Sequence, residues 1–260
     1  MPIVTDFHSH VARSSAAQMV QAAKGKGLHV LGLSEHVFQM SEARASLEYM
    51  QLEGPLLTLA TYFDSTHRAA QDFQFDTQVG LELDYVPARN EEIIASIEGY
   101  DWDFLIGSVH EIDGVVYEYV HRWSSVEGDA AWLRYFELLR AAASSGHFST
   151  ISHPVRMRLR NPYLPTSFDE ELEKLAAEAT RWNVALEVNG FDVLNYPGVV
   201  RRLVKACVLQ KTPISVGSDA HDPRGVAQGH QQTEAILREA GITKVRIWTV
   251  SYTHLTLPTI

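Results

Sequence analysis

The chain has one cysteine, Cys207, so an internal disulfide framework is excluded, and a reducing, cytoplasmic setting is the expectation. It has no apolar run approaching the ~20 residues that a bilayer-crossing helix needs. Its first residues lack the basic-then-apolar pattern of a secretory leader, so neither membrane insertion nor export is expected. It also lacks a basic excess: 22 Lys and Arg face 32 Asp and Glu, a net charge of -10. That balance argues against nonspecific grip on a nucleic-acid backbone, although a local basic pocket remains compatible with it. No internal repeat or linker interrupts the chain, and nothing in its composition selects an oligomeric state. What it does have is histidine, with 12 copies in 260 residues, and at 45% hydrophobic content it has enough apolar side chain for a sizeable core.

Short apolar runs alternate with helix-like segments along the chain. Strands are expected at Ile3–His8, Leu28–Ser34, Gln78–Leu83, Phe104–Val109, Ser149–Ser152, Val184–Val188 and Ile214–Gly217. Helical spacing marks Ala16–Lys26, Ala130–Ser145, Phe168–Arg181 and Gly198–Leu209, the last introduced by Pro197, which a helix start tolerates. Ser41 to Asp76 is long for one crossover and is expected to hold two helices, and Lys244–Trp248 reads as a final strand. Near-continuous apolar strands separated by helices indicate parallel strands buried on both faces. The fold expected is therefore α/β, a (β/α)7 TIM-like barrel, with an open doubly wound sheet as the competing arrangement. Residues 1–248 are expected to form one barrel domain. Residues 249–260 are Thr-rich, show no helical pattern and read as an atypical, non-native tail, so His254 carries no argument.

The polar residues gather where the strands end. The first strand closes in Asp6-Phe7-His8-Ser9-His10, the second in Ser34-Glu35-His36 and the third in Glu82-Leu83-Asp84. The fourth closes in Ser108-Val109-His110, the fifth in Ser152-His153 and the seventh in Ser218-Asp219-Ala220-His221. In a barrel of this kind the C-terminal strand ends form the active face. Each residue alone has an ordinary explanation: a strand-end His satisfies a hydrogen bond, Glu82 pairs with an Arg, Asp219 caps a helix. Six strand ends delivering imidazole or carboxylate to one rim are explained better by metal, because without it like charges would crowd together. Mixed nitrogen and oxygen ligands suit Zn, Mn or Fe, and the number of ligands exceeds what a single four-coordinate ion requires.

At these residues the chain resembles the PHP (polymerase and histidinol phosphatase) superfamily. The resemblance rests on the ordered series His8-x-His10, Glu35-His36, Glu82, His110, His153 and Asp219-x-His221, and runs from His8 to about His221. Gly-Leu-Glu-Leu-Asp-Tyr and Gly-Ser-Val-His look most like the histidinol-phosphatase branch. The resemblance implies a distorted (β/α)7 barrel and a trinuclear site. His8, His10, Glu82 and Asp219 would hold one ion, Glu82 would bridge to a second held by His110 and His153, and His36 and His221 would hold the third. One departure stands out. The family places a further acidic or His ligand several residues after His-x-His, whereas Val11 to Ala17 offers only Arg13, Ser14 and Ser15. Two tightly held ions are therefore expected, with the third site weak, water-completed or empty.

Phosphate recognition calls for a cation, and the planar guanidinium fork suits it. Arg156 and Arg158, alternating after His153, are the first choices, and Arg13 beside His10 is the second, in the space left by the absent ligand. Glu187 and Asn189 close the sixth strand, where they either line the pocket or serve as structural hydrogen-bonding residues. Tyr117 to Trp123, containing His121, reads as exposed loop, with a lid as the alternative. The expected activity is hydrolysis of a small phosphorylated substrate, histidinol phosphate first, by attack of a metal-bridging hydroxide. Glu82, Asp219 and His221 are the catalytic candidates. Competing readings are a phosphodiesterase or nuclease, a metal-dependent amidohydrolase and a noncatalytic metal-binding domain.

Overall fold

The computed structural model describes residues 2–120, 122–248 and the backbone of the pair 255–256. His121, His254 and the rest of the 249–260 tail lie outside the described residues. Seven parallel strands follow one another around a single sheet: β1 (Thr5–Asp6), β2 (Val30–His36), β3 (Asp76–Asp84), β4 (Phe104–Ser108), β5 (Thr150–Ile151), β6 (Ala185–Asn189) and β7 (Ile214–Gly217). Spatial order equals chain order, so every connection crosses to its immediate neighbour. The ends meet as well. Phe7 N donates to Val216 O at 3.2 Å, Asp219 N to His8 O at 2.8 Å and His10 N to Ala220 O at 2.8 Å. The sheet therefore closes as a distorted (β/α)7 barrel, and the open-sheet alternative falls.

Among the described residues, eight α-helices surround it: α1 (Ala16–Gly25), α2 (Leu59–Phe73), α3 (Asn90–Ser96), α4 (Ser125–Ser144), α5 (Phe168–Arg181), α6 (Gly190–Asn195), α7 (Pro197–Gln210) and α8 (His230–Glu239). The longer ones carry an apolar stripe, and α1, α2, α4 and α6 open on a side-chain cap. In α5, Phe168, Leu172, Leu175 and Ala179 share one face and are fully buried against α4 and α7. Burying each large apolar side chain of such a stripe contributes roughly 1.5–3 kcal/mol. Among the described residues no helix is long and apolar enough to cross a membrane.

Aromatic rings pack against the inner strands. Phe7 meets Phe104 edge-on at 5.4 Å and Trp248 at 5.0 Å, and Phe104 stacks on Trp248 at 5.5 Å. Gly80 in β3 makes the room: a Cβ there would lie 2.5 Å from the Phe104 ring.

Three expectations change. Lys244–Trp248 is not a full strand. Only Lys244–Val245 pairs, with Leu255–Thr256 and outside the barrel sheet, while Trp248 turns in to pack on Phe7 and Phe104. The Ser41–Asp76 crossover holds one α-helix, α2, preceded by 3-10 turns at Val37–Gln39 and Arg44–Leu47. Helix α4 starts five residues before the expected Ala130, because Ser124 and Glu127 form a reciprocal capping box that satisfies its first amides.

Candidate metal centre

All eight expected ligands converge on one pocket at the strands' C-terminal ends. Glu82 is at its middle. Its Oε2 lies 3.3 Å from His8 Nε2, 3.6 Å from His10 Nε2 and 2.8 Å from His36 Nδ1. Its Oε1 faces the other way, 3.0 Å from His153 Nε2 and 3.6 Å from His110 Nε2. Asp219 Oδ1 is 3.3 Å from His10 Nε2 and 3.6 Å from His8 Nε2. Donor atoms close enough to share a cation form overlapping groups: His8, His10 and Glu82; His8, His153 and Asp219; Glu82, His110 and His153; His10, His36 and His221.

Strand geometry explains why His8 and His10 meet. Side chains two apart share a face, so the intervening Ser9 points away and its Oγ donates to Gly32 O at 3.0 Å. Two ligands need unusual backbone. His153 has φ +28° and Asp219 φ +58°, left-handed conformations that cost a non-glycine residue about 1–3 kcal/mol. Surrounding bonds hold them there: Glu187 Oε2 accepts from His153 N at 2.8 Å and Tyr135 OH donates to His153 O at 3.1 Å.

A ring of carboxylates orients the imidazoles from behind. Glu187 Oε1 lies 2.8 Å from His8 Nδ1, and Asp84 Oδ1 lies 2.7 Å from His110 Nδ1. A proton held on Nδ1 by these partners leaves the Nε2 lone pair directed at the centre, the arrangement that metal-binding histidines use. Glu35 plays a structural part as well: its Oε1 lies 3.4 Å from His10 Nδ1, and its Oε2 accepts from Val11 N and Ala12 N, both at 2.6 Å.

The residues fit divalent cations. His8 Nε2, His10 Nε2 and Glu82 Oε2 are buried, mutually close and without hydrogen bonds. Buried lone pairs left this way are costly unless something positive lies between them. Protons supply that charge in the metal-free chain. Burial pulls the His8, His10 and His110 imidazoles down, but neighbouring carboxylates outweigh it. They raise His8 well above its usual value, through Glu187, Glu82 and Asp219. His10 rises to about 10 beside Asp219 and Glu35. His110 rises to about 9 beside Asp84. Burial pushes Glu82 and Asp219 up, yet cations opposite hold both far below the carboxylate range: His8 and His36 for Glu82, Arg156 and His8 for Asp219.

The arginines divide. Arg156 is buried, with Nε 2.8 Å from Asp192 Oδ1 and Nη2 donating to Asn189 Oδ1 at 3.0 Å and Asp219 Oδ2 at 2.6 Å. Its guanidinium covers the Phe191 ring at 4.8 Å. It thus fixes Asp219 with Oδ1 turned to the histidines. Arg13 lines the same cavity and pairs with Glu53 Oε1 at 3.1 Å. Arg158 corrects the expectation: it covers the Tyr196 ring at 5.4 Å and does not line the cavity. The segment Arg156–Leu159 is a 3-10 turn, so residues two apart do not share a face as they would in a strand. Glu187 and Asn189 hold ligands and Arg156 rather than facing the opening.

The cavity over the cluster has a volume of about 490 Å³. Phe38, Glu53, Glu118 and Tyr119 also line it; Glu118 and Tyr119 belong to the segment given a lid as its alternative, while Phe38 and Glu53 were not expected from the sequence. They lie on crossover loops whose path no strand or helix period reveals. The exposed-loop reading of residues 117–123 holds for Tyr119 and Arg122, but Tyr117 departs from it and is fully buried; Tyr119 OH accepts from Gln51 N at 3.3 Å across the cavity mouth. Glu53, beside His221, His36 and His10, is held down at about 2 although burial opposes this.

The PHP domain model matches residues 5–190. The chain is 26% identical over 254 residues to a probable histidinol-phosphatase of Deinococcus radiodurans, an alignment covering 91% of this chain and 93% of that protein. The fold matches the crystal structure of histidinol phosphate phosphatase from Lactococcus lactis subsp. lactis Il1403 complexed with zinc, L-histidinol and phosphate. There the TM-score is 0.77 at 19% identity, over 95% of this chain and 97% of that one. A chain of archaeal ribonuclease P, determined by cryo-EM with mature tRNA, matches at TM-score 0.53 and 11% identity over 91% of this chain and 89% of that one.

Proposed function

The chain belongs to the PHP domain family, and from that premise we propose that it is a metal-dependent phosphomonoester hydrolase acting on histidinol phosphate. The observation that carries the reading is Glu82, buried at the centre of the cluster with its two oxygens facing two different sets of imidazoles. Two to three divalent ions of the Zn, Mn or Fe kind fit this donor set. His8, His10, Glu82 and Asp219 would hold one, Glu82, His110 and His153 a second, and His36 and His221 a third. Bound ions would lower the pKa of a water to about 7 and neutralise charge on the phosphoryl oxygens.

The chain's own residues do the rest. Glu82 is aligned by Ser108 Oγ, which donates to its Oε1 at 2.6 Å, and Asp219 by Arg156. Arg13 and Arg156 bring positive charge to the cavity wall for the ester's anionic oxygens. His221 is the most exposed imidazole of the set, its side chain 25% accessible; the leaving oxygen would take its proton from a water, or from His221 when no third ion occupies that imidazole. Glu118 supplies the opposite charge for a substrate ammonium, and Phe38 and Tyr119 supply aromatic faces for an imidazole ring. Support for histidinol phosphate comes from the curated relative and from the L. lactis enzyme of like fold. The net charge of -10 and the walled cavity weigh against a polyanionic nucleic acid.

Phosphate release from the Zn-, Mn- or Fe-loaded protein across a panel of monoesters, diesters and amides tests this. Histidinol phosphate is expected to give the highest kcat/KM. A diester turned over faster favours the nuclease reading, and no release from any substrate favours the noncatalytic one.

A further inference from the structure

The group formed by His10, His36 and His221 contains no carboxylate of its own. The His10 ring stacks on His36 at 4.1 Å and on His221 at 4.3 Å, so three imidazoles crowd one side of the pocket. Facing them from the long crossover is Glu53. Its Oε2 is 3.2 Å from His221 Nε2, yet the contact lacks hydrogen-bond geometry, and this buried oxygen has no hydrogen-bond partner among the described residues. Its Oε1 is taken by Arg13 at 3.1 Å, which turns the remaining oxygen inward.

The backbone that carries Glu53 is fixed. Gln39, fully buried, accepts from Glu53 N at 3.0 Å and donates to Gly54 O at 3.0 Å and Pro55 O at 2.7 Å. Gly54 lies so close to the segment after His10 that a Cβ there would be 2.1 Å from Ala12 O. Glycine at 54 is what lets this loop reach the metal rim, on the side where Val11 to Ala17 offers no acid.

We propose that Glu53 is a ligand of a third divalent cation, completing through its Oε2 the site that His36 and His221 form beside His10. The proposal rests on the metal-binding part of the preceding reading but not on its substrate. Glu53 brings the negative charge that an all-imidazole site lacks, while Arg13 positions the carboxylate. Three tightly held ions then replace the two expected from the sequence.

Metal counting tests this without any substrate. Protein equilibrated at graded free zinc is analysed by atomic emission, and the weakest equivalent is titrated by calorimetry. Three equivalents are expected for the unmodified chain. Glu53→Gln should keep two and bind the third at least about tenfold more weakly, a loss no smaller than removal of an orienting outer carboxylate causes. His221→Ala should weaken that same equivalent, and Glu53→Asp should recover part of the affinity. An unchanged third equivalent in Glu53→Gln, or only two equivalents in the unmodified chain, overturns the proposal. Anomalous diffraction from zinc-loaded crystals of the unmodified chain decides independently of how the variants fold. An ion about 2.0–2.2 Å from Glu53 Oε2 is expected, and one beyond bonding distance overturns it. Absence of phosphatase activity with the metal count intact would sink the substrate reading alone.

Discussion

The aromatic core inside the barrel and its metal rim are built on opposite terms. In the core, Phe7, Phe104 and Trp248 interlock with every ring in edge or stacked contact, and Gly80 surrenders its side chain to fit them. At the rim, seven ligands are less than one-tenth exposed, and His221 is the partly accessible eighth. Their donor atoms converge, and His8 Nε2, His10 Nε2, His36 Nδ1 and Glu82 Oε2 find no hydrogen bond among the described residues. Shape holds the core together, and charge balance holds the rim. The rim thus spends stability on poising charged groups for a cation, which a close-packed apolar region never has to do.

The sharpest way to break this comparison is one substitution in each region. Glu82→Gln keeps the volume and removes the central charge. Activity is expected to fall about 10³-fold or more, about 4 kcal/mol in the barrier, with bound metal lost alongside. Phe104→Ala should leave the metal count unchanged but lower stability by about 3–5 kcal/mol, read from chemical denaturation of the metal-free protein. Full turnover by Glu82→Gln, or metal loss in Phe104→Ala as complete as in Glu82→Gln, would erase the distinction.

A smaller effect is expected one layer out. Glu187→Gln and Asp84→Asn remove the charges behind His8 and His110 while preserving size. Metal affinity should drop about 10–100-fold by calorimetry. An unchanged affinity would mean that the imidazoles are oriented by packing alone.

The mildest test is pH. His10 and His110 have folded-state values of about 10 and about 9, raised from the usual 6.5. A raised imidazole stabilises the fold fully below its unfolded value and loses that contribution as pH climbs through the folded one. The metal-free protein should therefore melt at progressively lower temperature between pH 7 and about 10. Zinc binding must displace those protons, so its affinity should rise over the same interval. A metal-free melting temperature that rises from neutral pH toward pH 10 would contradict the carboxylate-paired imidazoles.

Much of the rim was legible in the sequence, because a ligand at a strand's end is marked by the strand that precedes it. His8 and His10 announce a shared face by alternation, and Glu82 and Asp84 repeat the pattern two barrel positions on. The same rule misled at Arg156 and Arg158, where alternation was read on a segment that turns as a 3-10 helix. Ser124 and Glu127 were a readable helix start that would have placed α4 correctly. Glu53 had no such marker. It sits mid-crossover, where Gln39 and the close approach of the neighbouring Gly54 to Ala12 fix its position.

Periodicity and strand-end chemistry were enough, from the residue order alone, to determine a parallel α/β chain with imidazoles and carboxylates on one rim. Those signals are local, because side-chain direction within a strand or helix repeats over two to four residues. Closure of the sheet between β1 and β7, the turning of Arg156 onto Asp219 and the arrival of Glu53 were decided only by tertiary structure. Each joins groups tens to hundreds of residues apart. Their distances depend on how the whole barrel packs, which no local pattern encodes.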